Sequence, residues 1–297
     1  MKVDIKYTPK KNNETILNKN KNVYYFSFDA LNKFNNLINA FSTKLGGFSK
    51  GIYKSMNLGL STEDSKENIL LNYQEFSKTL NINPNNLVIT NQIHSANVKI
   101  VNDDDRGKGF SKDRDKEGID GFVTNTKGLG LCVLVADCVP VYFYDPVKEV
   151  IGLVHSGWKG TLGQISSKAI NLMCESFESN PEDIICVIGP SICQDCYEVS
   201  KDLFDEFSKV YDENKMKEIF LPGKDSNHFQ LSLWTAIKFT LLENNIKEDN
   251  IHITDVCTCH NPNLLFSHRF TQGKRGNLAA VLMLLPEPKD KSIFRIK

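Results

Sequence analysis

The sequence has no excess of charge of either sign, because 36 lysine and arginine residues balance 36 aspartate and glutamate residues. Proteins that bind nucleic acids or anionic membrane surfaces usually carry a surplus of basic side chains on one face. The balance removes the simplest argument for such partners. We therefore predict neither a nucleic-acid partner nor a membrane partner, and any cationic site would have to be local.

Long apolar segments are also missing. No run of about 18 apolar residues occurs, so no membrane-spanning helix is predicted. The N-terminal stretch has a basic start but lacks the apolar core of a secretory signal. The eight cysteines are too few and too unevenly spaced for the disulfide framework of a secreted domain. These absences predict a cytoplasmic protein with reduced thiols.

The sequence contains no internal repeat and no linker rich in glycine and proline. Its hydrophobic content of 40% is enough to build a core. We predict one domain over residues 40–297, preceded by a polar segment, residues 1–39, that forms a sheet edge or a hairpin.

Apolar runs of strand length dominate the middle of the chain. Residues 130–136, 141–144 and 150–154 predict strands buried on both faces. Further strands are expected at residues 87–90, 98–101, 184–188, 251–254 and 278–284, and helices at residues 65–80, from 161 onwards, 201–210 and 231–244. Strands and helices alternate in the middle but not throughout, which predicts an α+β fold with mixed sheets flanked by helices.

Two of these helices begin with apparent capping boxes. Asp64-x-x-Glu67 and Thr161-x-x-Gln164 both match the pattern in which two side chains satisfy the free amides of a first turn. Between the helices, residues 102–119 are highly charged without periodicity. Such a stretch predicts a solvated loop, and the alternative is a mobile cover over a site.

Three possible metal ligands fall at predicted strand ends. They are His94, Cys138 and His155. Side chains at the carboxyl ends of neighbouring buried strands converge on one crevice. Two imidazoles and a thiolate would form a tetrahedral site with its fourth position open, as in catalytic zinc sites. The alternative is a nucleophilic pair in which His155 or His94 activates Cys138.

Basic residues near glycines indicate an anion site. Lys159 lies in the glycine-containing turn after His155, where free backbone amides and a helix dipole favour an anion. An ordinary turn is the alternative. Lys44 lies in another glycine-containing loop, and Arg269 follows a predicted strand at Phe266.

A second group of possible metal ligands occurs later in the chain. Cys193 and Cys196 form a C-x2-C pair, and Cys257, Cys259 and His260 follow about sixty residues later. Four ligands from two such clusters can bind a structural zinc ion. The alternative is a set of buried thiols without metal.

Several motifs occur in order between residues 40 and 285, namely AFSTKLGGFSKGIYKSMNLG, NQIHSANV, IDGFVTNTKGLGLCVLVADCVPVYFYDP, IGLVHSGWKGTLGQI, VIGPSICQDCYEVS and LFSHRF. This series resembles the laccase-domain family, whose members are known as polyphenol oxidases, purine nucleoside phosphorylases and peptidoglycan editing factors. The resemblance covers nearly the whole chain.

The resemblance implies a fold similar to the catalytic domain of the cytotoxic necrotizing factor toxins. It also implies a zinc site at His94, Cys138 and His155. The implied activities are phosphorolysis of adenosine, inosine, guanosine and methylthioadenosine, and hydrolytic deamination of adenosine. Copper-dependent oxidation of phenols ranks below them, because one site of this kind has no partner metals and zinc has no redox chemistry.

The sequence departs from the family pattern at basic positions. Lys44 and Lys159 stand where the family usually has arginine, so a planar bidentate fork is lost while the charge is kept. Gly276-Asn277 replaces a late Gly-Arg, with Arg275 displaced. We expect Lys44, Lys159 and Arg269 to hold phosphate.

Asp137 is a candidate for handling protons or orienting Cys138, and a purely structural role is the alternative. Two rival functions remain. One is a cysteine hydrolase or amidase that edits peptidoglycan precursors with Cys138 as nucleophile. The other is a binding protein without catalysis.

Overall fold

The computed structural model describes residues 3–9 and 11–288. The strands over these residues are β1 (Thr15–Asn20), β2 (Val23–Phe28), β3 (Leu37–Ser42), β4 (Leu87–Ile89), β5 (Val98–Ile100), β6 (Gly121–Thr124), β7 (Gly130–Val135), β8 (Val139–Asp145), β9 (Val150–Ser156), β10 (Ile185–Ile188), β11 (Glu198–Ser200), β12 (Phe220–Pro222), β13 (His228–Leu231), β14 (Ile251–Ile253) and β15 (Leu278–Leu284).

The helices are α1 (Asp29–Asn32), α2 (Lys66–Thr79), α3 (Trp158–Leu162), α4 (Ile165–Phe177), α5 (Lys201–Phe207), α6 (Glu213–Ile219), α7 (Leu233–Glu243) and α8 (His268–Thr271). Among the described residues, no helix combines the length and the apolarity needed to cross a membrane.

The strands form two six-stranded sheets and one small sheet. Sheet A has the order β1-β2-β3-β15-β7-β4, sheet B the order β14-β10-β8-β9-β6-β5, and the small sheet the order β11-β13-β12. Most neighbours are antiparallel, whereas β4–β7, β5–β6 and β10–β14 are parallel. Mixed sheets combined with helices in one domain confirm the predicted α+β class.

Strand β7 shows why the central strands are apolar on both faces. Leu131, Val133 and Val135 belong to a core shared with sheet B, whereas Cys132 and Leu134 belong to a second core that includes residues of α2. Successive side chains of a strand point to opposite faces, so a strand between two cores needs an uninterrupted apolar run. Strand β15 alternates in the same way.

Sheet B is covered on its other face by helices. Tyr142 and Tyr144 of β8 point into the core shared with sheet A, and Val141 and Phe143 point into a core that includes residues of α4 and α7. The order of layers is therefore helix, sheet A, sheet B and helices. The connections from β4 to β5 and from β7 to β8 both run from sheet A to sheet B.

Residues 15–28, within the N-terminal segment, form an antiparallel hairpin. Strands β1 and β2 pair from Thr15 opposite Phe28 to Asn20 opposite Val23, at the edge of sheet A. The suggested division between residues 39 and 40 falls inside β3 and stays a prediction.

Both predicted capping boxes are wrong. Helix α2 begins after Ser65, which makes no side-chain cap, and the carboxylate of Asp64 accepts hydrogen bonds from Asn57 Nδ2 and its neighbour's amide. Leu70 of α2 is 41% exposed, although the spacing of apolar residues in this helix predicts it on the buried face. The predicted helix from Thr161 is two helices, because Gln164 adopts a left-handed conformation with φ of 57° between α3 and α4.

Residues 102–119 form a loop, as predicted, but a cross-linked one. Lys108 Nζ lies 2.6 Å from a carboxylate oxygen of Asp105 and 2.6 Å from one of Asp115, and Lys99 also pairs with Asp115 at 2.7 Å. Asp105 is buried. Lys108 compensates two carboxylates, which explains how the buried Asp105 is accommodated where this highly charged segment folds back onto the domain.

Candidate metal centre and its cavities

The structure brings together the three residues predicted at strand ends. His94 lies in the connection from β4 to β5, Cys138 in the connection from β7 to β8, and His155 in β9. Strands β4 and β7 are parallel neighbours in sheet A, so both connections leave at one edge and cross to sheet B. One donor atom from each residue lies within 4.8 Å of the others.

Asp120 orients both histidines, and sequence reasoning did not single it out. Its Oδ1 lies 2.8 Å from Nδ1 of His155, and its carboxylate accepts the backbone amides of His94 at 3.1 Å and Ser95 at 2.9 Å. A carboxylate can only accept, so Nδ1 of His155 donates to Asp120, and Nε2 is left as the nitrogen that could bind a metal ion. The signal in the sequence was an acidic residue directly before a buried strand.

The charge on Asp120 is maintained although its side chain is fully buried. Burial disfavours the carboxylate, but hydrogen bonds from His155 and Ser95 outweigh that effect and lower the pKa of Asp120. The carboxylate therefore stays ionised beneath the two histidines.

The backbone around the donors adopts an unusual conformation. His94 has φ of 60° and Asp137, directly before Cys138, has φ of 86°. Left-handed conformations of residues other than glycine are uncommon and cluster at functional sites.

Gly157 keeps the space between two of the donors open. A Cβ atom at this position would lie 3.0 Å from Cys138 Sγ and 3.2 Å from His94 Nδ1. No other residue type fits there unless the donors move apart.

The thiol and the buried imidazole form a charged pair. Burial disfavours the thiolate, but the charge of His155 and hydrogen bonds from His155 and His94 lower the pKa of Cys138 to about 6. Burial likewise disfavours the imidazolium, but the Cys138 thiolate and Asp120 raise the pKa of His155 to about 9. A thiolate and two imidazoles around a space that a Cβ would fill are a donor set suited to a metal ion, and to Zn²⁺ in particular.

Two cavities meet at these donors, and both are lined by His94, Ala136, Cys138 and Arg275. The polar cavity has a volume of about 260 Å³ and is further lined by Gly59, Leu60, Ser61, Thr62, Gln92, Arg114, Leu134, His155 and Asn277. The aromatic cavity has a volume of about 380 Å³ and is further lined by Asp137, Trp158, Ile192, Tyr197, Leu233, His268 and Arg269.

A larger cavity of about 770 Å³ lies elsewhere, between the segment around Asn97 and helix α4. None of the three donors lines it. The two smaller cavities, which contain the possible metal ligands, are therefore the candidates for the substrate site.

Of the three residues predicted to hold phosphate, Arg269 lines one of the two cavities, whereas Lys44 and Lys159 line neither. Arg269 lines the aromatic cavity, but it belongs to helix α8 rather than to the end of a strand, so the predicted strand there is wrong. Its guanidinium donates to the carbonyls of Cys196 at 3.2 Å and Glu198 at 3.0 Å and lies over the ring of Tyr197.

The two lysines lie outside the lining of both cavities. Lys159 is exposed, and its Nζ lies 5.4 Å from the ring centroid of Trp158, which does line the aromatic cavity. Lys44 Nζ donates to the carbonyl of Pro262 and lies 5.9 Å from the ring of Phe266. Burial and the nearby Lys54 lower the pKa of Lys44.

Asp137 uses both carboxylate oxygens to hold neighbouring segments. Oδ1 accepts a hydrogen bond of 2.6 Å from Thr258 Oγ1, and Oδ2 accepts one of 2.6 Å from the backbone amide of Arg269. This geometry favours the structural alternative for Asp137.

Two arginines that the sequence did not assign to the site line the polar cavity. Arg275 donates to Asn277 Oδ1 at 2.7 Å, but its Nε is buried without a partner among the described residues. Arg114 comes from the cross-linked loop and donates to Ser61 Oγ at 3.0 Å. In the sequence, the displaced Gly-Arg motif was the signal for Arg275. Nothing in the charged stretch at residues 102–119 singled out Arg114.

The later cysteines also converge. Donor atoms of Cys193, Cys196, Cys257 and His260 lie within 4.8 Å of one another, whereas Cys259 is not part of that set.

Comparison with known proteins places the chain among relatives of the same architecture. A purine nucleoside phosphorylase of Bacillus subtilis strain 168, YlmD, is 33% identical over 247 residues, which are 83% of this chain and 88% of the relative. The adenosine deaminase RL5, from an unknown prokaryotic organism, is 28% identical over 78% of this chain and 88% of the relative. The crystal structure of YlmD from Geobacillus stearothermophilus has a TM-score of 0.85 and 29% identity, covering 91% of this chain and 99% of that chain.

A family model described as multi-copper polyphenol oxidoreductase laccase matches residues 38–285. These residues include all three donors and both arginines of the polar cavity. The chain belongs to this laccase-domain family.

Proposed function

We propose that the protein is a zinc-dependent purine nucleoside phosphorylase that uses adenosine, inosine, guanosine and methylthioadenosine, and that it also deaminates adenosine. One observation carries the proposal, namely that His94, Cys138 and His155 lie where a cavity with two arginines meets a cavity with aromatic walls. The names of the relatives, a purine nucleoside phosphorylase and an adenosine deaminase, support it.

The three donors would hold the zinc ion, with Asp120 fixing the proton on His155. A bound zinc ion supplies a Lewis acid that polarises an oxygen atom of a reactant or lowers the pKa of water toward neutrality. The protein itself contributes orientation, because Asp120 contacts His155 directly and His94 through its backbone amide.

The polar cavity suits phosphate. Arg275 has a buried Nε without a partner, and Arg114 lies on the same cavity. Guanidinium groups pair with phosphate through planar, charge-assisted hydrogen bonds. Arg114 and Arg275 would therefore compensate for the two family arginines that are lysines here, at positions 44 and 159. Lys44, Lys159 and Arg269 remain predicted phosphate ligands, but the geometry favours Arg114 and Arg275 as the first contacts.

The aromatic cavity suits a purine base. Trp158, Tyr197 and Leu233 provide apolar and π surface, and the volume of about 380 Å³ lies in the range of small-ligand sites. With the base in this cavity and phosphate in the polar one, the ribose would lie beside the donors. Phosphorolysis acts at C1′ and deamination at C6, so adenosine has to bind in two orientations for the two reactions.

Product analysis tests the proposal. Metal-replete protein is incubated with adenosine with and without phosphate, and adenine, hypoxanthine, inosine and ribose-1-phosphate are resolved by chromatography. Ribose-1-phosphate should form only with phosphate, in an amount equal to the sum of adenine and hypoxanthine, because inosine from deamination is itself a substrate; without phosphate, inosine should be the product. Absence of product from every purine nucleoside tested would refute the proposal.

A cysteine hydrolase or amidase acting on peptidoglycan precursors is the second candidate. The arrangement of Cys138, His155 and Asp120 favours it, because the donor atoms of Cys138 and His155 lie within 4.8 Å and Asp120 contacts the other ring nitrogen of His155. A thiolate, an imidazole and an orienting carboxylate are the parts of a cysteine nucleophile. Metal analysis separates the candidates. Protein purified without chelators should contain zinc rather than copper at His94, Cys138 and His155. Metal-free protein that hydrolyses amides, and that loses this activity when Cys138 is alkylated, would favour the hydrolase.

A further inference from the structure

We propose that Cys193, Cys196, Cys257 and His260 bind a second, structural zinc ion. These four residues share no member with the first site, and their donor atoms lie within 4.8 Å of one another. Three thiolates and one imidazole complete a tetrahedron, so this site has no open position for a substrate. The inference does not depend on the proposed reaction.

The fold explains how residues so far apart in sequence come together. Strands β10 and β14 are parallel neighbours in sheet B, so the chain leaves both at the same edge. Ser191, after β10, pairs with Cys257, after β14, and the Thr258 amide donates to the Ser191 carbonyl at 3.0 Å. The C-x2-C segment therefore runs beside the segment that carries Cys257 and His260.

The local geometry is that of a metal-binding turn. Cys193 precedes a short 3-10 turn that ends at Cys196, so both sulfur atoms project from one tight bend. The backbone amide of Cys193 donates to Cys257 Sγ at 3.3 Å. Amide donors of this kind offset the negative charge that several thiolates accumulate.

The separations are close to those in a tetrahedral site. Cys193 Sγ lies 3.8 Å from His260 Nδ1. With Zn–S near 2.3 Å and Zn–N near 2.0–2.1 Å, donor atoms in a tetrahedron are about 3.5–3.8 Å apart. The remaining donors, within 4.8 Å, need to approach by at most about 1 Å. Nδ1 of His260 also lies 3.0 Å from Thr8 Oγ1, a contact that the metal would replace.

Two of the four ligands are buried, and the other two, Cys196 and His260, are partly exposed. Cys193 and Cys257 are 2% and 0% exposed, respectively. Cys259 is partly exposed and lies outside the set of four. It provides a natural control for the ligand assignment.

A metal here would stiffen one wall of the aromatic cavity. The carbonyl of Cys196 accepts a hydrogen bond from Arg269, and Thr258, next to Cys257, donates to Asp137. Both Arg269 and Asp137 line that cavity. The second zinc ion would thus fix the segments that shape the substrate site without touching the substrate.

Metal counting on the intact chain tests the proposal. Native mass spectrometry of protein expressed with zinc and purified without chelators should show about two zinc ions in the wild type, and about one in both Cys257→Ser and the double variant His94→Ala/Cys138→Ser. Cys259→Ser and Cys174→Ser should retain both ions. A folded Cys257→Ser variant that keeps both ions, or a wild type in which these cysteines form a disulfide without metal, would overturn the assignment.

A second measurement covers the case in which Cys257→Ser fails to fold. The double variant His94→Ala/Cys138→Ser leaves the cluster intact, so X-ray absorption at the zinc edge should report three sulfur neighbours and one nitrogen neighbour. A double variant that binds no zinc, or zinc surrounded only by nitrogen and oxygen, would refute the second site. Neither result bears on phosphorolysis, which is assayed separately.

Discussion

At the residue scale, Asp120 is the side chain on which the donor arrangement depends. It is fully buried, it fixes the tautomer of His155, and it accepts the amide of His94. Sequence reasoning found the donors because they end strands, but it missed Asp120, whose partner His155 lies 35 positions away. Roles of this kind depend on long-range contacts that no local pattern encodes.

Replacing this carboxylate should weaken metal binding. We expect Asp120→Asn to lower zinc affinity by about 10–100-fold, the usual effect of losing a partner that orients a ligand. Competition with a chromophoric chelator measures it. Asp145→Asn is the matched control, because Asp145 is also a buried carboxylate that accepts backbone amides, at 2.8 Å and 3.0 Å, but lies outside the site. Equal losses in both variants would argue against the orienting role.

Arg275 should be the main phosphate contact. Hydrogen bonds to charged groups contribute about 1.5–3 kcal/mol, so Arg275→Met should raise KM for phosphate by about 10–100-fold. Steady-state phosphorolysis at varied phosphate measures this effect. Lys44→Met is the comparison and should raise KM less than Arg275→Met does, since the amine of Lys44 already donates to the carbonyl of Pro262. A larger effect at Lys44 than at Arg275 would restore the assignment made from the sequence.

At the element scale, the turn from β9 into α3 keeps room for the metal. Gly157→Ala would place a Cβ 3.0 Å from Cys138 Sγ, so we expect at least a tenfold loss of zinc affinity. Gly152→Ala, in β9, is the control, because its Cβ would meet no atom closer than 3.4 Å. Zinc affinity that is unchanged in Gly157→Ala would contradict the described geometry.

The stability that the charged loop at residues 102–119 contributes should depend on pH, because Lys108 pairs with two carboxylates. Hydrogen bonds from Lys108 lower the pKa of Asp115 and, against the opposing effect of burial, that of Asp105. Because the folded pKa values lie below the unfolded ones, their stabilisation is present above about pH 4 and is lost as the pH falls through the lowered values.

A substitution isolates this contribution. Lys108→Met should lower the free energy of unfolding by about 1–2 kcal/mol at neutral pH, and the difference from the wild type should shrink below about pH 4. Thermal unfolding between pH 3 and pH 7 measures it. Lys112→Met is the control, since among the described residues its amine makes one exposed contact, to the Asp104 carbonyl. A difference that does not depend on pH would rule out the carboxylates as its cause.

At the scale of the whole molecule, apolar patterning predicted the fold better than local capping signals predicted its helices. Residues 278–284 were expected as a strand and form β15 with the same bounds, because a strand between two cores needs an unbroken apolar run. The patterns at Asp64 and Thr161 failed because polar groups in the preceding loop or turn bind those side chains instead. Asp64 accepts from Asn57, and Thr161 Oγ1 lies 2.9 Å from Ser156 Oγ.

The cavities were less predictable than the donors. Their walls combine the loop at Arg114, the turn at Trp158 and the segment at Arg275, which are distant in sequence and meet only when the two sheets stack. Net charge gave no indication of them either. The positive charge at the site is local and is balanced elsewhere on the surface.

Zinc titration of stripped protein tests the central claim most directly. Chelator-treated wild type is titrated with zinc while phosphate-dependent release of adenine from adenosine is followed, in parallel with Cys138→Ser. The account predicts negligible activity without metal, activity in the wild type that rises until His94, Cys138 and His155 are saturated, and none in Cys138→Ser even when its other site is filled. Full phosphorolysis by metal-free wild type, or by zinc-loaded Cys138→Ser, would contradict it.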